Sequence, residues 1–125
     1  MRRNDAIQIE VETAYLPDQS DPAAPRYVFA YTITIRNRGP AAATLLTRRW
    51  VITDANGKVR EVEGQGVVGE QPCIAPGEAH RYSSGAVIET PVGVMEGSYG
   101  MLSEDGVSFP AAVPAFRLAV PGILH

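Results

Sequence analysis

Residues 26–38 alternate with almost no interruption. Tyr27, Phe29, Tyr31, Ile33 and Ile35 fall on one parity and Val28, Ala30, Thr32 and Thr34 on the other. Side chains that alternate with a period of two belong to extended backbone, because successive Cβ atoms of a strand point to opposite faces of the sheet. Aromatic and β-branched residues on both parities add strand propensity and mark a central strand rather than an edge. Such a strand has to be sandwiched, so the rest of the chain must supply its neighbours.

The remaining segments do so. Residues 7–15 repeat the beat, with Ile7, Ile9, Val11, Thr13 and Tyr15 against Gln8, Glu10, Glu12 and Ala14, as a half-buried strand does. Residues 44–54 alternate again. Trp50 and Ile52 place the even face inside and leave Arg48 to emerge near the start of the strand. The Asn56-Gly57 pair signals a tight hairpin, Asn and Gly both tolerating positive φ, and residues 59–63 return antiparallel. Pro76-Gly77 has the form of a type II turn, with proline at the second position and glycine at the third. Further strands are expected at 80–88, 94–102, 107–113 and 115–120, and residues 17–25, with three prolines, read as an exposed loop. No segment has sustained helical spacing. About eight short strands without crossover helices predict an all-β fold, an antiparallel β-sandwich of immunoglobulin-like or fibronectin type III-like form, with a small barrel as the alternative. At 125 residues the expectation is one domain over 1–125.

Composition narrows the function classes. Eleven basic against 14 acidic residues give a net charge of −3, without the basic surplus that a nucleic-acid backbone demands. Met1-Arg2-Arg3-Asn4-Asp5 leads into no apolar h-region, and no apolar run approaches the length of a membrane span, so a soluble chain without a signal peptide is expected. A lone cysteine, Cys73, makes no internal disulfide; it reads as a small buried or loop residue and fits the reducing cytoplasm.

The one motif with a chemical reading is Gly64-Gln65-Gly66-Val67-Val68-Gly69, a G-x-G-x-x-G pattern whose backbone N–H groups could cradle phosphate oxygens. The dinucleotide form needs a helix directly after it, and Glu70-Gln71-Pro72 offers none. The kinase form needs partner motifs that the chain lacks, Lys58 being its only lysine. Two readings remain for Gly64, Gly66 and Gly69. They either permit an irregular crossing between sheets, where positive φ or close approach forbids a Cβ, or they form a loop that binds a partner or an anion. No metal ligands are expected: His80 and His125 are the only histidines, and Asp54, Glu61, Glu63, Glu89, Glu104 and Asp105 match no established cation loop. Ser83, Ser84 and Cys73 have no histidine in a motif relationship, so no catalytic residue is expected either. Arg48 and Arg49 beside Trp50 are either a partner patch or, with Trp50 in the core, arginines solvating the end of a strand.

Several stretches together resemble the ApaG family, also called CorD, nearly end to end: Tyr27-Val28-Phe29-Ala30-Tyr31-Thr32-Ile33-Thr34-Ile35-Arg36-Asn37, Arg49-Trp50-Val51-Ile52-Thr53, the glycine-rich run, Ile74-Ala75-Pro76-Gly77-Glu78, Tyr82 with Ser84-Gly85, Thr90-Pro91 with Gly93, Met95, Gly97 and Tyr99, and Phe116-Arg117-Leu118. The resemblance implies a fibronectin type III-like sandwich and an association with cobalt resistance and magnesium efflux. It further implies use as a binding module, since related domains occur in larger eukaryotic proteins such as some F-box proteins and a polymerase-interacting protein. The functional expectation is therefore a cofactor-free, non-enzymatic domain that recognises another protein through a sheet edge or end loops, and that could pair with itself through a sheet edge. The alternative is an accessory protein that binds a divalent cation, a nucleotide or pyrophosphate at the glycine-rich loop.

Overall fold

The computed structural model describes residues 6–122, so expectations for Met1–Asp5 and His125 lie outside the described residues. Among the described residues eight strands form two antiparallel sheets: β1 (Ile7–Tyr15), β2 (Tyr27–Asn37), β3 (Ala43–Asp54), β4 (Val59–Gln65), β5 (Cys73–Ile74), β6 (Ala79–Ile88), β7 (Val92–Ser103) and β8 (Ser108–Ala119). One sheet has the order β1-β2-β6. The other runs β4-β3-β7-β8, with β5 paired to β3. The all-β antiparallel sandwich expected from the alternation is what the chain forms.

Strand β2 is central, flanked by β1 and β6 over nearly its full length. Its odd residues Phe29, Tyr31, Ile33 and Ile35 face the other sheet and are buried. There they meet Leu45, Trp50 and Ile52 of β3, Met95, Tyr99 and Met101 of β7, and Leu118 of β8 in a single core. Fully burying one such side chain is worth about 1.5–3 kcal/mol, so this layer is the main driving force for closure. Trp50 stands edge-on to Tyr31, Tyr99 and Phe116, with ring centroids 5.5–6.0 Å apart, which ties both sheets to one indole.

Four local expectations need correction. The inward face of β3 is not even throughout: the register with β7 slips between Leu45 and Thr47, so Ala43 and Leu45 point inward before the slip and Trp50 and Ile52 after it. Leu45 is fully buried and Leu46 is not. An extra residue in a strand exchanges its faces, which a plain alternation count cannot register. Second, the expected strands 107–113 and 115–120 are one strand, β8, whose pairing with β7 slips between Met95 and Gly97, opposite Pro114 and Ala115. Third, the hairpin at Asn56-Gly57 is wider than a two-residue turn. Asp54 exchanges bonds with Gly57 and Lys58, and of the pair only Gly57, at φ +82°, has positive φ. Fourth, Cys73 is an exposed residue of the short strand β5. The turn at Pro76-Gly77 has the expected form: Glu78 N–H donates to Ala75 O, and Gly77 sits at φ +83°. Within 17–25 lies a single 3-10 turn, Pro17–Gln19.

Candidate functional site

The glycine-rich run joins the end of β4 to β5, and because both strands pair with β3 in one sheet it is not the crossing between sheets that one reading of the glycines expected. Gly64 lies opposite Arg48 in the β3–β4 ladder. A Cβ there would come 2.7 Å from the Arg48 guanidinium. With that space empty, Arg48 Nη1 donates to the carbonyls of Gln65 and Gly66, at 3.0 Å each. Arg48 is thus a brace for the loop, where sequence reasoning made it a solvating or partner-facing residue. Gly66 turns the chain at φ +65° so tightly that a Cβ would collide with the Glu70 carbonyl, and its N–H donates to Leu46 O at 2.8 Å. Gln71 reaches the same carbonyl with its Nε2.

Beyond Gly66 the loop closes into a miniature hairpin. Val67 and Glu70 exchange N–H···O bonds of 2.8 and 3.0 Å, leaving Val68 and Gly69 as a two-residue turn. Both carry positive φ, +48° and +78°, the signature of a type I′ turn. Val67 is sunk into the core at 1% exposure, while Val68 stands 65% exposed at the tip. Val68 is the only non-glycine described residue with positive φ. A β-branched side chain is the least suited to that conformation, because its Cβ substituents crowd the following carbonyl. The N–H groups of Gly66, Val67 and Glu70 all donate to backbone carbonyls.

Beneath the loop, inward-facing residues of β6 and β7 form a polar seam. The hydroxyls of Tyr82 and Tyr99 share a short, buried hydrogen bond. Burial pushes the Tyr82 hydroxyl up to about 12, only partly offset by its bond to Tyr99. Burial, and then the neighbouring Tyr82, push Tyr99 up further. His80 stacks on Tyr82 with centroids 6.3 Å apart, and its Nε2 lies 3.7 Å from a Glu70 carboxylate oxygen, too far for a hydrogen bond.

The other residues singled out from the sequence are dispersed. Glu61 and Glu63 both face Arg49 across the β3–β4 pair, and Glu89 pairs with Lys58. Asp54 accepts from the backbone of Asn56 and Lys58. Among the described residues no three His, Cys, Asp or Glu side chains converge as a metal site would require. The Ser83 hydroxyl is bonded to Thr32. Sequence reasoning missed Val68 and the tyrosine pair. Gly69 signalled a positive φ, but nothing in a Val-Val pair signals that the second valine adopts one.

Comparison with known proteins adds the decisive observation: the ApaG domain matches residues 17–103. The chain belongs to the ApaG family. It is 62% identical to Protein ApaG of Thiobacillus denitrificans and 60% identical to that of Pseudomonas paraeruginosa, each over 95% of this chain and 94% of the relative. An X-ray structure of a structural genomics target superposes with a TM-score of 0.94 at 54% identity, covering 99% of this chain and 94% of that one. No helix among the described residues is long and apolar enough to cross a membrane.

Proposed function

We propose that this ApaG-family chain acts without catalysis, by recognising another protein with the turn formed by Gly64, Gly66, Gly69 and the residues between them. One observation carries the reading: Val68, an exposed apolar side chain held at φ +48°. A residue that is both strained and hydrated lowers the stability of the fold by about 1–2 kcal/mol, and such outliers concentrate at contact sites. The turn is well supported beneath, by Val67 in the core and by Arg48 on the carbonyls of Gln65 and Gly66, so the apolar tip is presented on a fixed base. The alternative reading, an anion cradle, loses three of its donors to backbone carbonyls at Gly66, Val67 and Glu70. Cobalt and magnesium phenotypes then follow from what the partner does rather than from a cation held by this chain.

The test is capture of partners from native extract by the wild type and by Val68→Asn. Asparagine is the residue best suited to the first central position of this turn, so the variant keeps the loop and loses the apolar tip. The reading expects Val68→Asn to melt at a higher temperature and to lose a partner that the wild type retains. A variant that is more stable and still captures the same partner overturns it.

A further inference from the structure

Besides the two-residue β5, the two sheets among the described residues have four edge strands, β1 and β6 in one and β4 and β8 in the other. Two of them, β8 and β6, are interrupted, and β4 is short, running from Val59 to Gln65. In β8, Ser103 N–H donates to Val107 O, which turns the odd residues of the first half of the strand toward β7. Pro110 therefore stands where a donor would face outward, and the bulge beside Pro114 breaks the row again. The outward row of β4 ends at Gln65, whose carbonyl is taken by Arg48. In β6, Arg60 reaches across from β4 to occupy the Val87 carbonyl, and Gly85 weakens the middle of the row.

Strand β1 is different. It pairs with β2 in one register from Ile7 to Tyr15 without a bulge, and it contains neither proline nor glycine. Arg38 N–H donates to Ala6 O and Leu16 N–H to Val28 O, so the even residues of β1 are bonded to β2. The N–H and C=O groups of Ile7, Ile9, Val11, Thr13 and Tyr15 consequently point away from the sheet, and no bond from them to another described residue occurs. Their side chains face inward, and those of Ile9, Val11 and Tyr15 are only half-buried, packed against the rim of the core. The outer face of the same strand presents Gln8, which accepts from Arg38, Glu12, which is bridged to Arg81 at 3.2 Å, and between them Glu10, whose carboxylate has no ion pair among the described residues.

We infer that the free edge of β1 is a strand-addition site for an extended segment in which basic residues alternate with apolar ones. Such a strand would satisfy the outward row of backbone groups, cover Ile9 and Val11 with its inner side chains, and set its basic side chains beside Glu10 and Glu12. The same carboxylates argue against a second copy of this chain as occupant. Antiparallel pairing of β1 with itself about Val11 sets Glu10 of each copy against Glu12 of the other, and like charges directly opposite are destabilising. The site lies on the outer sheet edge and does not use Val68.

The test uses the full chain, labelled for NMR, with an octapeptide of alternating lysine and valine as probe and its glutamate–valine twin as control. The inference expects the amides of Ile9, Val11 and Thr13 to shift and to gain protection from hydrogen exchange with the basic peptide only. Added salt should weaken the effect. The variant Glu10→Lys, on the exposed outer face and outside the Arg81–Glu12 ion pair, should keep its melting temperature, lose about threefold in affinity for the basic peptide and gain affinity for the acidic twin. Val68→Asn should bind the basic peptide as the wild type does, which separates this site from the turn. Perturbation of β6, β4 or the Val68 turn instead of β1, indifference to charge reversal, or no binding at millimolar peptide overturns the inference. So does a concentration-dependent dimer that protects the β1 amides.

Discussion

Three glycines of one motif stand in three different surroundings, and substitution should rank them. Gly66 has positive φ and would drive a Cβ into a backbone carbonyl, so neither strain nor clash can relax. Gly69 has positive φ but open space. Gly66→Ala is expected to cost more than about 2 kcal/mol and Gly69→Ala about 1 kcal/mol, measured by urea unfolding. Gly64→Ala meets only the end of the Arg48 side chain, and its cost is the loss of the brace. The tyrosine pair makes a second prediction at this scale. A tyrosine whose hydroxyl is raised from 10 to about 12 in the folded state contributes stability that is fully present below pH 10 and lost as pH climbs toward 12. Alkaline titration followed by tyrosine absorbance should therefore show Tyr82 and Tyr99 ionising together with unfolding above pH 10. In Tyr82→Phe, which leaves the Tyr99 hydroxyl buried without its partner, a loss of about 1–2 kcal/mol at neutral pH is expected.

At the level of elements, the slip in β3 decides which of two adjacent leucines supports the fold. Leu45→Ala should cost about 2–5 kcal/mol, while Leu46→Ala, on the half-exposed side of the bulge, should cost less than about 1 kcal/mol. Equal costs in thermal or urea unfolding would show that the faces do not exchange there. The slip also bears on how much of this architecture was legible in the sequence. The alternation in β1 and β2 runs unbroken, and both strands lie where the two-residue beat placed them. In β3 and β8 one extra residue shifts the beat, so periodicity found the strand in one case with its first inward residues misassigned, and cut it in two in the other. The two-residue β5 is too short to carry a period at all. Pairing across a sheet is a long-range contact, and no local spacing records it.

Taken as a whole, the sandwich is sealed by aromatic and aliphatic side chains from both sheets; Tyr82 and Tyr99 bond to one another inside it, while the buried Trp50 Nε1 and His80 Nε2 have no hydrogen-bond partner. The proposed recognition falls to the periphery: a turn with an apolar tip and a long sheet edge without proline, glycine or bulge. The glycines of the turn were legible because positive φ selects for them. The strained Val68 was not, because its conformation is imposed by the Val67 anchor and the Arg48 brace rather than by its own preference. The measurement that bears most directly on this account is an amide map of the labelled protein titrated with the partner that the wild type retains and Val68→Asn does not. The account predicts that resonances of Val67, Val68, Gly69 and Glu70 move while those of Trp50, Tyr82 and Tyr99 stay in place. Movement centred on the tyrosine seam, with the 67–70 turn unchanged, would contradict it.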